Sequence, residues 1–121
     1  MTIEYSMNVD NDVLYAKAWG FDDDVNDVMH YGSALIRMAH EHSCTKALCD
    51  ERELVYTIAT IDIYDSASFM AKHAPALSQV AIVFHPDFLA DAKFWENVAI
   101  NRGLAVSFFK DMDKAKTWLD I

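Results

Sequence analysis

The sequence predicts an α/β fold in which a mixed, mostly parallel five-stranded sheet carries an N-terminal antiparallel hairpin and four helices. Two β-prone runs come first and are joined by turn-forming residues. Short apolar runs then alternate with helical stretches, the pattern of parallel strands joined by crossover helices. Residues 80–84 are apolar throughout, which is typical of a strand buried on both faces of a parallel sheet. The chain of 121 residues is long enough for one core, so we predict a single domain over residues 1–121.

The first two strands are predicted at residues 2–7 and 13–19. The first run alternates apolar and polar residues, so one of its faces is expected to be buried. The connection at residues 8–12 is rich in Asn and Asp, which favour turns, and we therefore expect an antiparallel hairpin. Gly20 is expected to end the second strand.

Apolar residues recur at three- and four-residue intervals from Val25 to Ala39, which predicts the first helix. Four acidic residues cluster where this helix begins, and the positive end of a helix dipole favours carboxylates there. A metal site or a partner-docking patch is the alternative interpretation of this cluster, which consists of Asp22, Asp23, Asp24 and Asp27.

The rest of the chain alternates strands and helices. A brief third strand at residues 47–49 is closed by the charged residues 50–52. An apolar stripe from Ile63 to Ala74 then predicts the second helix, which Pro75 stops.

The fourth strand is predicted at residues 80–84. Pro86 opens the third helix, and Gly103 ends it in the usual helix-stop position. The last strand covers residues 104–109, and Asp111 caps the final helix.

The composition fits a soluble globular protein. Apolar residues make up 53% of the chain, and ten basic against nineteen acidic residues give a net charge of −9. This acidic balance argues against binding to nucleic acid or to anionic membranes. The longest apolar stretch is far too short to insert into a membrane.

We predict a cytoplasmic protein. The N-terminal region lacks the basic and apolar segments of a signal peptide. Cys44 and Cys49 are expected roughly 16 Å apart on opposite faces of a strand, too far for a disulfide. Two unpaired thiols fit a reducing compartment.

The sequence offers no motif for a metal, a cofactor or a covalent reaction. His40 and His42 are two residues apart, so on a helix they point in different directions and share no metal ion. Neither a Gly-rich phosphate loop nor a paired nucleophile is present in the sequence. We predict no cofactor and a non-enzymatic protein; an enzyme that uses His85 with Asp50 is the alternative.

Five segments occur in one colinear order that spans nearly the whole chain: residues 48–52, 80–83, 94–103, 108–111 and 115–119. With these segments, which include Asn101-Arg102-Gly103 and an Ala-x-x-Trp-Leu ending, the chain resembles the small bacterial SpoIIAA-like proteins of the STAS (sulfate transporter and anti-sigma factor antagonist) superfamily. This resemblance implies a STAS-like α/β fold, which is also compared with the lipid-binding Sec14 type.

The resemblance also implies a non-catalytic, partner-binding role. In the better understood STAS domains, a serine at the start of the second helix is phosphorylated within an Asp-Ser-Ser-Gly motif, and this modification switches partner binding. The present sequence has Thr-Ile-Ala-Thr-Ile-Asp at residues 57–62, so the motif is absent. Thr60 is the phosphoacceptor candidate at the position that corresponds to the serine, and Thr57 is a weaker candidate. Capping of the helix by Thr60 is the structural alternative.

Ligands of open parallel sheets bind beyond the carboxyl ends of the strands. We expect the residues that follow the third, fourth and fifth strands to form this rim. Our leading hypothesis is a regulatory domain that binds another protein there, in a role like that of an anti-sigma factor antagonist, and that forms a homodimer. The rim residues are Asp50, Glu51, Arg52, Thr57, Thr60, Asp62, His85, Phe88 and Lys110.

Two alternatives remain for these residues. Asp50 and Arg52 could pair with each other instead of binding a partner. The aromatic residues that crowd the last forty positions could line a pocket for a small molecule or a lipid, with Phe88 at its edge.

Overall fold

The computed structural model describes residues 3–22, 24–74 and 77–121, and within these residues it has five strands and four helices. All strands belong to one sheet in the order β1-β2-β3-β4-β5; β1 pairs with β2 antiparallel, and the other neighbours are parallel. The predicted fold class and order of elements are therefore confirmed. The elements are β1 Ile3–Asp10, β2 Val13–Phe21, α1 Val25–Glu41, β3 Lys46–Val55, α2 Thr60–His73, β4 Gln79–Phe84, a 3₁₀ turn Pro86–Phe88, α3 Leu89–Asn101, β5 Val106–Phe109 and α4 Met112–Leu119.

The N-terminal hairpin is longer than predicted. Its turn consists of Asn11 and Asp12 alone, and Asn11 adopts a left-handed backbone with φ 56°. Because the turn is this short, the strands pair continuously to Asp10 and Val13. Gly20 lies inside β2 rather than ending it. The predicted start of the first strand at Thr2 lies outside the described residues.

The prediction that the third strand ends before Asp50 is wrong. β3 continues to Val55 because β2 pairs with it in parallel as far as Phe21. Lys17 pairs with Asp50, and the next pair is Trp19 with Glu53. Between these pairs β2 advances by two residues and β3 by three, so β3 holds one extra residue, as in a β-bulge. Residues 50–52 therefore lie within the strand and not beyond its end.

Helices cover the two faces of the sheet unequally. The strands follow one another in sequence order, so the crossover helices α1, α2 and α3 all pass over one face. The main core lies between these helices and the sheet, and includes Leu35, Ala67 and Ala99. On the other face, α4 packs Ala115 and Leu119 in a second, smaller cluster.

Helix α1 begins as its acidic residues suggested, with two exceptions. Asp24 is the N-cap, and its carboxylate accepts the backbone N–H of Asn26 at 2.8 Å, while Asp27 lies in the first turn. Asp22 departs from the prediction because its side chain is buried away from the helix terminus. The prediction for Asp23 falls outside the described residues.

The other helix ends differ in detail from the predictions. Ala59 is the N-cap of α2 and gives no side-chain capping bond, and Ala74 ends this helix; Pro75 lies outside the described residues. Pro86 opens the 3₁₀ turn, after which α3 begins at Leu89. Gly103 follows α3 with φ +97°, in the predicted helix-stop role.

The thiols of Cys44 and Cys49 are free, as predicted, and both are buried. They pack in the same core cluster rather than on opposite faces, because Cys44 lies in the turn before β3 and not in the strand.

Helices α1 and α2 approach closely at Gly32. An added Cβ at this position would lie 2.6 Å from Met70 Sδ, which is closer than two such atoms can approach without movement. Only glycine therefore fits here with the Met70 side chain in its present position.

The C-terminal end of α4 is held at the amino ends of β3 and β4. Lys46 Nζ donates to the Leu119 carbonyl at 2.5 Å, and Gln79 Nε2 donates to the Trp118 carbonyl at 3.2 Å. These bonds satisfy carbonyl groups that a helix terminus leaves without intrahelical partners.

The cap of α4 gives a first testable prediction. Asp111 Oδ1 accepts the backbone N–H of Asp113 at 2.7 Å, so Asp111→Ala should lower the free energy of unfolding by about 1 kcal/mol. Urea denaturation monitored by circular dichroism measures this change. Lys114→Ala, an exposed change in the same turn that keeps the cap, is the control and should leave stability within about 0.5 kcal/mol. Equal stabilities of the two variants would contradict the capping role.

Candidate functional site

A cavity of about 90 Å³ lies between the sheet and the layer formed by α1, α2 and α3. Each residue that lines it is buried or half-buried. Its wall is mostly apolar and includes Leu35, Ile82 and Phe108. The acidic side chains of Asp22 and Glu51 line the same cavity. A concave apolar site with a few polar groups is the usual form of a small-molecule site.

Glu51 is the central polar group of the cavity. It occupies β3 two residues after Cys49, so strand alternation turns both side chains towards the helical layer. Its side chain is buried, and two tyrosine hydroxyls donate to its oxygens. The Tyr31 hydroxyl from α1 is 3.2 Å from Oε2, and the Tyr56 hydroxyl just beyond β3 is 2.6 Å from Oε1.

Burial raises the pKa of Glu51 from its ordinary value of 4.5 to about 7. The hydrogen bonds from Tyr56 and Tyr31 favour the carboxylate and oppose this shift, while the charges of Asp22 and Asp50 add to it. Glu51 consequently retains its proton to a much higher pH than an exposed glutamate does. Burial also raises the pKa of Tyr31 and of Tyr56, so both remain hydroxyl donors.

Asp22 is a second buried acid and ties the ends of β2 and β3 together. Its backbone N–H donates to the Val55 carbonyl at 3.1 Å, and its carboxylate accepts the backbone N–H of Thr57. Burial raises the pKa of Asp22, the backbone N–H groups of Thr57 and Ile58 lower it, and the nearby Asp91 raises it. Asp22 is predicted from the sequence to stabilise the α1 helix dipole. In the structure it instead joins the ends of two strands beside the cavity.

A third polar group links two helices across the cavity wall. Trp95 Nε1 on α3 donates to Ser66 Oγ on α2 at 2.9 Å, and Ser66 Oγ donates to the Ile63 carbonyl at 3.0 Å. All three residues line the cavity. These bonds fix the relative position of α2 and α3.

Thr60, Thr57 and Asp62 lie beyond the carboxyl end of β3, at the predicted rim. Thr60 is the first residue of α2 and is exposed; it makes no capping hydrogen bond, so the structural alternative of capping is wrong for this side chain. Thr57 is exposed while its backbone N–H binds Asp22. Asp62 lies in the first turn of α2 and is half-buried. Their proposed roles remain predictions.

His85 and Phe88 also lie at this rim, beyond the end of β4. His85 is exposed, and its Nδ1 accepts the backbone N–H of Asp87 at 3.1 Å, which caps the 3₁₀ turn. The ring of Phe88 lies 5.4 Å from the ring of Tyr56 and 6.0 Å from that of His85. Through Tyr56, Phe88 adjoins the polar centre of the cavity. Lys110 follows β5 as predicted and is exposed.

Asp50 and Arg52 do not belong to the rim, contrary to the prediction. The continuation of β3 places them within the strand, and alternation directs Asp50 to the face opposite the cavity, beside Ser6 and Tyr15. Arg52 donates to Asp50 through Nε at 2.9 Å and Nη2 at 2.8 Å. These bonds lower the pKa of Asp50. Asp50 and Arg52 therefore pair with each other, which is the alternative interpretation of these two residues.

The roles of Glu51, Tyr31, Tyr56 and Asp22 at the cavity differ from those that the sequence predicts. The available signal was alternation: Glu51 follows Ala47 and Cys49 at two-residue spacing, so it shares their buried face whenever the strand continues. The tyrosines gave no such signal, because they meet Glu51 from a helix and from the segment after the strand.

In residues 3–22, 24–74 and 77–121, no group of three or more His, Cys, Asp or Glu side chains is arranged to hold a metal ion. None of the helices in this part of the chain has the length and apolar character needed to cross a membrane.

Comparison with solved structures supports the architecture. The chain superimposes on an uncharacterised protein of the DUF3478 family with a SpoIIAA-like fold from Shewanella loihica PV-4, with a TM-score of 0.62. The alignment covers 98% of this chain and 94% of that chain at 22% sequence identity. The fold is SpoIIAA-like. No protein-family model and no curated protein sequence matches the chain.

The protonation of Glu51 gives a second prediction, on stability. Between pH 4.5 and about 7, the folded protein retains a proton on Glu51 that the unfolded chain has lost. The free energy of unfolding should therefore fall as pH rises through this range, by on the order of 3 kcal/mol from this group. Asp22 contributes in the same direction because its pKa is also raised.

Glu51→Gln removes this titration, so the variant should gain stability relative to wild type from pH 5 to 7 and stay constant relative to it above about pH 8. Urea unfolding at one-unit pH intervals measures the difference. Glu4→Gln, which removes an exposed carboxylate on the opposite face of the sheet, is the matched control and should parallel wild type. A constant difference between Glu51→Gln and wild type at every pH would contradict the raised pKa.

Proposed function

We propose that this SpoIIAA-like domain binds a small molecule with a largely apolar body, without converting it, in the cavity under α1, α2 and α3. The observation that carries the proposal is an apolar cavity with a buried carboxyl group held by two tyrosines. An apolar ligand gains free energy by leaving water, and a few fixed polar groups orient it.

Burial energetics favour a ligand at this cavity. A ligand gains about 25 cal/mol for each Å² of apolar surface that it moves from water into the cavity of about 90 Å³. Burial of an ionisable side chain such as Glu51 costs free energy. A ligand that binds the carboxyl group would offset that cost.

A binding role without chemistry is favoured by the partners of the candidate acid–base residues. The alternative hypothesis is an enzyme that uses His85 with Asp50. In the structure each of these side chains has another partner, since Asp50 binds Arg52 and His85 caps the 3₁₀ turn. The hydroxyls of Tyr31 and Tyr56 both donate to Glu51. No nucleophile is paired with a base among these residues.

A cavity-filling variant tests the proposal. In Gly32→Ala the new Cβ overlaps the position of Met70 Sδ, and because both residues line the cavity, the thioether is expected to move into the empty space. Wild-type protein should bind butan-1-ol saturably, with the largest NMR shifts at the methyl groups of Leu35, Ile63 and Ile82, and Gly32→Ala should weaken binding at least threefold.

Ser33→Ala is the control, because it lies on the same helix, does not line the cavity and should bind the alcohol as wild type does. A failure of the wild-type protein to show saturable shifts at these methyl groups would overturn the proposal.

A second candidate function is protein binding at the start of α2, as the resemblance to STAS domains suggests. The specific observation is Ile61, which is 64% exposed beside the exposed Thr60. Tyr64 lies one turn further on and is 37% exposed. Large apolar side chains at a surface can serve as contacts for a partner. In this proposal Thr60, with Thr57 as the alternative, accepts a phosphoryl group that controls the contact.

Native mass spectrometry of the protein isolated from its own cells tests the second candidate. We expect a partner complex or homodimer that Thr60→Ala and Asp62→Ala weaken, and an added phosphoryl group that maps to Thr60 or Thr57. Lys72→Ala, an exposed change at the other end of α2, is the control and should leave the complex intact. Unmodified protein whose complexes are insensitive to both variants would overturn this function.

A further inference from the structure

The cavity carries acidic side chains from three parts of the fold. Asp22 follows β2, Glu51 belongs to β3 and Asp91 lies in the first turn of α3. Among the described residues that line the cavity, there is no Lys, Arg or His. The only charges that these side chains present to an occupant are therefore negative.

While Glu51 is ionised, the strong side-chain hydrogen-bond donors of the wall are already in use. The hydroxyls of Tyr31 and Tyr56 donate to Glu51, and Trp95 donates to Ser66, which itself donates to a backbone carbonyl. The carboxylate oxygens of the wall, by contrast, can accept more hydrogen bonds than they receive. Each carboxylate oxygen can accept about two hydrogen bonds, and each oxygen of ionised Glu51 accepts one from a tyrosine.

An occupant that binds ionised Glu51 must therefore supply donors rather than acceptors. A carboxylate or phosphate would face like charges with no free side-chain cation to bind it. A ketone or ester would offer only acceptors, which leaves the surplus on the wall unmatched. An alkylammonium group supplies three donors and a positive charge, and aromatic faces such as those of the tyrosines attract cations.

We infer that the ligand of this cavity is an apolar amine, bound as its ammonium ion with N–H groups directed at Glu51 and Asp22 and its hydrocarbon body against the apolar wall. This inference rests on the proposed small-molecule function and adds the chemical class of the ligand. Glu51 and Asp22 determine the specificity for an amine. The apolar wall contributes hydrophobic burial, which does not distinguish between ligands of the same size.

Amine binding is coupled to a proton at Glu51. An ammonium ion buried beside neutral Glu51 lacks its strongest partner, so binding favours the ionised carboxylate and releases the proton. Since the pKa of Glu51 is about 7 in the empty cavity, affinity should rise about tenfold from pH 6 to pH 8. The titratable groups that face Glu51 or share its cavity are Tyr31 from α1, Asp22 after β2, Cys49 in β3, Tyr56 after β3 and Asp91 from α3. Asp50 lies on the opposite face of β3 and acts on Glu51 through its charge alone.

Three probes with the same hydrocarbon chain separate charge from apolar burial: butylammonium, butan-1-ol and butanoate. NMR titration at pH 8 in 100 mM NaCl should show butylammonium binding at least tenfold more tightly than butan-1-ol, and butanoate binding more weakly than either. The readout is the set of methyl resonances of Leu35, Ile63 and Ile82, which line the cavity. Methylammonium has the same charge without the hydrocarbon chain, and it should leave these resonances unshifted. A shift would indicate that cations are attracted to the acidic protein surface in general.

Variants then assign the preference to a residue. Glu51→Gln should lower the affinity ratio of butylammonium to butan-1-ol at least threefold and weaken its pH dependence, with Asp22 and Asp91 left as the remaining acids of the cavity. Glu4→Gln removes the same charge from an exposed position and should keep the wild-type ratio. The wild-type ranking of the three probes does not depend on how well either variant folds.

The outcomes distinguish the two proposals. If butan-1-ol binds and butylammonium binds no more tightly, or if butanoate binds best, the amine inference is wrong and the cavity remains a site for other apolar ligands. If none of the three probes shifts the cavity resonances saturably, the proposed small-molecule function fails, and the amine inference fails with it.

Discussion

The parallel pairing of β2 with β3 is the interaction on which the rest of the structure depends. It runs from Val13 to Phe21 on one strand and from Lys46 to Val55 on the other, with one extra residue in β3. Because β3 is carried this far, Glu51 enters the layer beneath the helices and Asp22 meets the backbone of Thr57. A shorter β3 would leave both acids at the surface. The cavity and its charge are therefore consequences of strand pairing.

The site combines features that oppose maximal stability. Replacement of a buried polar cluster by apolar side chains of the same volume is often neutral or stabilising, and a cavity within a core reduces the packing contacts of its wall. The structure nevertheless retains both beneath α1, α2 and α3, with Gly32 and Met70 in close approach at the cavity wall. Tyr31 and Tyr56 limit the cost by hydrogen bonding to Glu51.

Much of the fold could be predicted because its signals are local. Periodicity located each helix and strand, and Asp111 was recognised as a cap from the helix that follows it. The end of β3 was missed because charged residues at 50–53 are typical of a loop, whereas pairing with β2 and the Asp50–Arg52 bonds keep them extended. No local signal marks the extra residue in β3.

The site was harder to predict than the fold because it depends on distant contacts. Tyr31 reaches Glu51 across twenty positions in the sequence, and Asp22 reaches Thr57 across thirty-five. The size of a cavity depends on how three helices pack on a sheet, which no single segment encodes. The rim residues Thr57, Thr60 and His85 could be placed from topology, since they simply follow parallel strands.

The directions of β1 and α4 have a practical consequence for labelling the protein. Ile3 lines the cavity and pairs with Gly20, at the carboxyl end of the parallel strands. Leu119 is bound by Lys46 at the amino ends of those strands, on the other face of the sheet. A fluorophore attached near Ile3 therefore stands next to the cavity, whereas one attached at Leu119 stands across the sheet from it. Immobilisation through Leu119 keeps the support on the face of the sheet opposite the cavity.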